Sequence, residues 1–457
     1  MTFIEQLVSD FSSFVWGLPL LILLIGGGLY LLIVSRFLQF RFFGHAIQLL
    51  RGKYNDPNDP GQISHFQALT TALSATVGMG NISGVAVAIA IGGPGAIFWM
   101  WVSAIVGMST KFFTAALAIM YRSKDSAGEI QGGPMYMITE GLGKAWKPLA
   151  VFFSACLMLG ALPIFNVNQL TQAINDIVLI PNGYEVSLTS NIAIGMVLIV
   201  ITSIVILGGL KRIGKVTSRL VPAMVLLYFV LVAIILATHI EEVPKYLQLI
   251  FTDAFSANFI DNESLFGGAL GALIIYGVQR GAFSNEAGIG TAPMAHGAAK
   301  TSEPIREGLV AMLGPFIDTI VVCTLTALAI LVTGVWQSSD VNGVSLTAVA
   351  FSDAMPVYGT YALMLCVAIF SISSLFSYSY YGTKAMSFIF GAHRKKYYNY
   401  IYIASILLGT TTSLTLVLGL IDSAFALMAV PTMLTTVILA PKVRKETKRY
   451  ITELRKK

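Results

Sequence analysis

Long apolar runs separated by short polar segments set the pattern of this chain. Charge-free runs occur at 11–35, 66–110, 148–175, 186–210, 220–238, 264–279, 319–339, 354–383, 397–421 and 423–441. A membrane span needs about 20 mostly apolar residues. The 66–110 run holds two, so the pattern predicts eleven spans in an all-α polytopic membrane protein. The 264–279 run is short, and we expect it to continue past Arg280 as an interrupted helix. Three hydrophilic connectors, 128–145, 244–258 and 344–355, read equally well as interfacial helices that gate access or as plain connectors.

Lysine and arginine give the orientation. The segments 36–53, 122–147, 211–219, 300–306, 394–396 and 442–457 hold 25 of the 29. Basic loops stay in the cytoplasm, which places the amino terminus outside and the carboxyl end inside. A lead-in span ends the segment 1–36, and 37–65 connects it in the cytoplasm. Two groups of five spans follow, 66–238 and 265–441, joined outside by 239–264. An odd-numbered group followed by another must sit inverted in the membrane. The tail, 442–457, is expected to lie beside anionic lipid.

Composition agrees. The chain of 457 residues is 56% hydrophobic and 11% charged, where a soluble chain is about a quarter charged. The net charge of +6 lies in clusters between apolar runs and does not point to nucleic acid. Cys156, Cys323 and Cys366 fall within apolar runs and read as packing residues. The first ten residues hold Glu5 and Asp10 and no basic residue, so the first run is expected to be retained. No P-loop, no metal-binding histidine spacing and no nucleophile–base pair is visible. We therefore expect no enzyme and no cofactor.

Within 66–110 lies Ala75-Thr-Val-Gly-Met-Gly-Asn81. Its glycines are poor helix residues, and lipid forbids unpaired backbone groups. A broken helix is expected here, with its freed groups turned toward cargo. The N–H groups of Met79 and Gly80 suit a carboxylate. The carbonyls of Ser74, Thr76 and Val77 suit a cation, and Asn81 adds a side-chain oxygen. The competing reading is a small-residue packing seam, though Asn81 has no obvious place in one. Gly277 and Gly281 suggest a matching break in the second half, and paired breaks point to a transporter's central site.

Other candidates leave more than one reading open. Ser373 and Ser374 offer hydroxyl oxygens, which hard cations accept, but also bond neighbouring helices. Gln169, beside Asn166 and Asn168, either binds substrate or cross-links helices. Asp318, deep in its span, is either a cation or proton site or the partner of a buried base such as Lys111 or Arg280. Glu286 is expected to pair with Arg280.

The run Gly92-Gly-Pro-Gly-Ala-Ile-Phe-Trp-Met-Trp101-Val-Ser-Ala-Ile-Val-Gly107 resembles the signature of the alanine or glycine:cation symporter family, also called sodium:alanine symporters. Gly132-Gly-Pro-Met-Tyr136, Arg280-Gly-Ala-Phe-Ser-Asn-Glu-Ala-Gly288 and Phe316-Ile-Asp-Thr319 are similar to further pieces of that family, in its order. The resemblance implies the leucine-transporter fold, a 5+5 inverted repeat with one extra N-terminal helix. It implies a carrier in a prokaryotic inner membrane that couples sodium entry to uptake of a small neutral amino acid. It places a sodium ion on Ser74, Val77, Ser373 and Ser374. The substrate carboxylate falls to the amides around Met79 and Gly80, within a site that includes Thr76 and Gly78. Its ammonium group falls to carbonyls near Tyr276 and Gly277. Gln169 matches a substrate-contacting glutamine. A second cation or proton site falls to Thr76, Asn81 and Asp318.

Three positions depart from the family pattern. Thr114 stands where a glutamate follows the Thr110-Lys111 pair. Gln169-Leu-Thr-Gln172 replaces Gln-Ala-Asn-Ser. Tyr378 stands where a tryptophan commonly closes the pocket. Alanine and glycine remain the default cargo, with serine, glutamine or a larger neutral amino acid as alternatives. Proton coupling through Asp318 is the alternative mechanism. An amino-acid-gated channel or sensor is the alternative outside transport.

Overall fold

The computed structural model describes residues 2–56, 58–255, 269–338, 341 and 343–456. The described residues are helical nearly throughout, with one hairpin that pairs Ser123–Lys124 with Ile130–Gln131. Seven helices are long and apolar enough to cross a membrane, and two bent pairs add one span each.

The lead-in comes as two helices, α1 (Phe3–Val15) and α2 (Leu18–Val34), bent by 45°. The lead-in span expected from the run 11–35 is thus divided, and α1 starts well before that run on its own cap. Thr2 and Glu5 form a reciprocal capping box, and Gly17 followed by Pro19 restarts the chain.

The first bent core span is α3 (His65–Thr76) and α4 (Gly80–Gly92), turned by 54°. Then come α5 (Gly95–Met120), α6 (Lys144–Asn182), α7 (Leu188–Ile206) and α8 (Gly209–Thr238). A shorter helix, α9 (Val243–Asp253), precedes α10 (Ala269–Asn285) and the short α11 (Ala292–His296). Next are α12 (Pro304–Val332), α13 (Val344–Ala354), α14 (Gly359–Phe390), α15 (Lys395–Thr411) and α16 (Leu414–Lys456). At 17 residues each, α10 and α15 stand where the other two expected spans fall. The connector expected at 239–264, and the start of the second half, lie partly outside the described residues.

The burial pattern reverses soluble logic. The apolar window of α5 is 89% buried within the protein, whereas that of α8 is 28% buried. A helix facing lipid must be apolar all round, while a central one can carry polar groups if its neighbours satisfy them. Thus α5 buries Lys111, and α14 buries Ser371, Ser373, Ser374 and Ser377.

Four expectations change. First, α10 runs unbroken through Gly277 and Gly281. A Cβ on Gly277 would lie 2.5 Å from Trp99 Cβ, and one on Gly281 would lie 2.9 Å from Ser103 Cβ. These glycines form a packing seam against α5. The break comes later, at 286–291, where Glu286 has a φ of 54° and Gly288 and Gly290 have φ of 89° and 105°. Second, 128–145 is no interfacial helix. Gly132 and Gly133 pack inward on Gly297 and Met294, and Pro134–Tyr136 is buried. Third, α8 starts at Gly209 and absorbs the expected loop 211–219. Fourth, α16 continues to Lys456, so the basic tail is a helical extension. The connectors at 244–258 and 344–355 contain helices, α9 and α13.

Candidate functional site

The break between α3 and α4 is held by side chains. Val77 caps α3, and its N–H bonds to the Leu73 carbonyl at 2.7 Å. The next N–H, on Gly78, leaves the helical ladder and donates to Asn81 Oδ1 at 2.9 Å. Asn81 Nδ2 reaches across to α12, donating to Asp318 Oδ1 at 2.9 Å and to the Asp318 carbonyl at 3.0 Å. Asn81 therefore staples the break shut on one side; its oxygen is spent on Gly78. A helix end leaves its last carbonyls and its first N–H groups without intrahelical partners. The carbonyls of Ser74, Thr76 and Val77 and the N–H groups of Met79 and Gly80 occupy those positions.

The opposite side of the break meets α14. Ser74 Oγ donates to the Ser373 carbonyl at 2.6 Å. Ser373 Oγ and Ser374 Oγ turn back to the Phe370 carbonyl at 2.9 and 3.1 Å. A Cβ on Gly78 would stand 2.5 Å from Ser374 Oγ, so only glycine allows this approach. Ser74 thus meets Ser373 and Gly78 lies against Ser374, so that Ser74, Val77, Ser373 and Ser374 can offer only uncharged oxygens on this side. All four are fully buried.

Asp318 anchors a second cluster. It is buried and accepts from Asn81, from Ser284 Oγ at 2.6 Å and from Thr319 Oγ1 at 2.8 Å. Lys111 of α5 lies along Gly314, one turn earlier on α12. It acts electrostatically on Glu286 and Asp318. Arg280 is not the base for Asp318 or Glu286. Its guanidinium bonds to Asp422 of α16 at 2.7 Å. Glu286, at the second break, instead accepts hydrogen bonds from Tyr378 and Thr291.

Beside the first break lies a small cavity lined by Thr76, Gly78, Met79, Gly80, Asn166, Phe165, Phe283 and Tyr378, among others. About 20 Å³ is open to the centre of a water-sized sphere, room for about one water. Thr76 Oγ1 is buried with no hydrogen-bond partner among the described residues. Phe283 closes one wall. It packs edge-on against Phe165 at 5.1 Å between ring centres and lies under the Arg280 guanidinium at 5.3 Å.

Three expected residues stand elsewhere. Gln169 does not line the cavity. Its oxygen accepts from Ser83 Oγ at 2.5 Å, and its nitrogen donates to Gln172 at 2.9 Å, linking α4 to α6. Asn168 ties α6 to the end of α15 through the Gly409 and Thr412 carbonyls. Asn166 takes the wall position. Tyr276 is 37% exposed, and Gly277 faces α5, so neither reaches the cavity. Phe283, further along α10, lines the cavity instead, while Glu286 bonds Tyr378 of its wall. The signal for that shift was present in Glu286-Ala-Gly-Ile-Gly-Thr-Ala-Pro293, a glycine-rich stretch ending in a helix-starting proline. Asp422 carried no local signal.

The profile of the sodium:alanine symporter family matches residues 1–457. A sodium/alanine symporter, AgcS, of Methanococcus maripaludis is 41% identical, covering 99% of this chain and 98% of its own. A probable sodium/glutamine symporter, GlnT, of Bacillus subtilis is 33% identical, covering 98% and 91%. Among solved structures, MhsT in complex with L-phenylalanine superposes with a TM-score of 0.59 at 16% identity. It covers 83% of this chain and 89% of that one, and so shares the leucine-transporter-like fold expected from the sequence. The chain is a multi-pass membrane protein and a secondary transporter, and it belongs to the sodium:alanine symporter family.

Proposed function

We propose that this protein carries a small neutral amino acid, alanine or glycine first, into the cell together with sodium by alternating access. The observation that carries this reading is the α3–α4 break, set against Ser373 and Ser374 on one side and a small cavity on the other. A cation with hard-oxygen preference sits between the Ser74 and Val77 carbonyls and the two α14 hydroxyls. The amino acid carboxylate meets the N–H groups of Met79 and Gly80, at the positive end of α4. Thr76 Oγ1 gives a further polar contact. The bulk of Tyr378 and Phe283 on the cavity wall favours alanine and glycine over glutamine. The smallness of the cavity also requires Phe283 to move before any amino acid enters. The buried Arg280–Asp422 pair above Phe283 acts as the outer lock.

A second cation site lies at Asp318, beside Asn81, Ser284 and Thr319. One buried lysine, Lys111, stands against two buried carboxylates, Glu286 and Asp318. Uncompensated buried charge is costly, so the cluster draws in one more positive charge, sodium or a proton. The amino terminus lies outside and the α16 end in the cytoplasm, in a prokaryotic inner membrane. The halves 66–238 and 265–441 are inverted copies, and one bundle rocks against the other.

The test is counterflow into liposomes holding the purified protein, screened over L- and D-amino acids with and without sodium. Alanine or glycine uptake that needs sodium is expected. Equal uptake in sodium-free buffer would sink the coupling. Best uptake of a large side chain would sink the size argument.

A further inference from the structure

Beyond the central cavity, a larger one opens near the ends of α8 and α14. Its volume is about 370 Å³, and Gln131, Lys211, Tyr380, Lys384, Ser387 and Lys395 line it. Lys384 is its distinguishing feature. The side chain is 5% exposed, yet among the described residues no carboxylate pairs with it. Its ammonium donates to the Gly132 and Met294 carbonyls, each at 3.0 Å, and lies 5.0 Å from the Tyr380 ring centre. An ammonium has three donors, so one is left over. Tyr380 Oη and Ser387 Oγ are also buried without a partner among the described residues, each with an O–H to donate. Buried charges and hydroxyls are costly when unfilled. Their gathering on one cavity is the mark of a site that takes an anionic group.

The surrounding charges agree. The Asp125 carboxylate is spent on the N–H groups of Ala127 and Glu129 and on Gln131 Nε2. Glu129 is 3.7 Å from Lys395. The cavity wall therefore holds four lysines, Lys211, Lys384, Lys395 and Lys396, against two engaged carboxylates. Its place is also informative. Tyr378 lines the central cavity, and Lys384 follows six residues later on α14, about 9 Å along the helix. The same helix, α14, thus lines both cavities.

We propose that this cavity is a cytoplasmic anchorage for the carboxylate of the departing amino acid, with Lys384 as its cationic contact. The proposal rests on the carrier reading and on the basic side being cytoplasmic. Weak binding suits such a site, because a tight one would trap the cargo.

The test uses Thr383→Cys, a partly exposed residue on the same wall, in inverted membrane vesicles. The parent chain, with its three buried cysteines, sets the background. A sulfonate-bearing methanethiosulfonate is expected to react several-fold faster than a trimethylammonium-bearing one. Millimolar alanine and acetate should each slow it, while tetramethylammonium should not. Adding Lys384→Gln should abolish the preference and the protection, and Lys384→Arg should keep both. If Lys384→Gln does not fold, the protection series on Thr383→Cys decides alone. Equal rates for the two reagents, or no protection by either carboxylate, overturn the site. Protection by acetate without alanine overturns the amino-acid assignment. Uptake by Thr383→Cys from the outer face, measured in parallel, reports separately on the carrier reading.

Discussion

The two oxygen clusters beside the first break are built from different chemistry. Ser74, Val77, Ser373 and Ser374 offer carbonyls and hydroxyls only. Asn81, Ser284, Thr319 and Asp318 offer neutral donors around a carboxylate, with Lys111 and Glu286 nearby. A neutral cage has no proton to exchange, so it favours a metal cation and holds it by geometry. A buried carboxylate holds a cation by charge and accepts a proton equally. On the proposed function, the contrast gives one break two kinds of coupling: the neutral cluster tunes sodium affinity, and the charged cluster sets whether the empty carrier can reorient.

The sharpest way to break this contrast is Asp318→Asn. It leaves Lys111 balanced by Glu286 alone and removes the need for a second cation. Losing a partner from a buried charge cluster costs about 3 kcal/mol, roughly 100-fold. Concentrative uptake should fall by that factor, while exchange of internal for external alanine should persist. Gly78→Ala attacks the neutral cluster through shape. The new methyl meets Ser374 Oγ at 2.5 Å, and overpacking costs about 2 kcal/mol. The sodium needed for half-maximal uptake should rise roughly 30-fold, with little change in the pH dependence of exchange. Tyr378→Phe removes one hydrogen bond to Glu286 without touching Asp318. A bond to a charged group contributes about 1.5 kcal/mol, so the alanine KM should rise about 10-fold with sodium dependence kept. Gly80→Ala should do least. Its Cβ would sit 3.4 Å from the Phe283 ring, an ordinary contact. A change above about 3-fold, some 0.7 kcal/mol, would place this glycine closer to the cargo than the cavity wall suggests.

Local chemistry made the first break legible. Two glycines and an asparagine inside a charge-free run leave backbone groups that lipid cannot satisfy. Ser373 and Ser374 gained meaning only once α14 was set opposite Gly78, since hydroxyls in a membrane helix serve packing as readily. Gly277 and Gly281 misled because a glycine that admits a neighbouring helix looks the same in sequence as one that bends the chain. The true second break shows itself through positive φ at Glu286, Gly288 and Gly290, which no spacing rule fixes. The Arg280–Asp422 and Glu286–Tyr378 contacts join residues far apart in the chain. No periodicity carries such pairs. For the same reason Gln169 read equally as a substrate ligand or a helix cross-link, and the folded chain uses it to tie α4 to α6.

The most direct test of the account is sodium binding itself. Radioactive sodium is titrated into purified protein with and without alanine, for the natural chain and for the double variant Ser373→Ala, Ser374→Ala. The account predicts that alanine tightens sodium binding. It also predicts that the double variant weakens it about 10-fold, the effect of some 1.4 kcal/mol of lost coordination. Sodium binding that ignores alanine, or that is unchanged in a well-folded double variant, would contradict it.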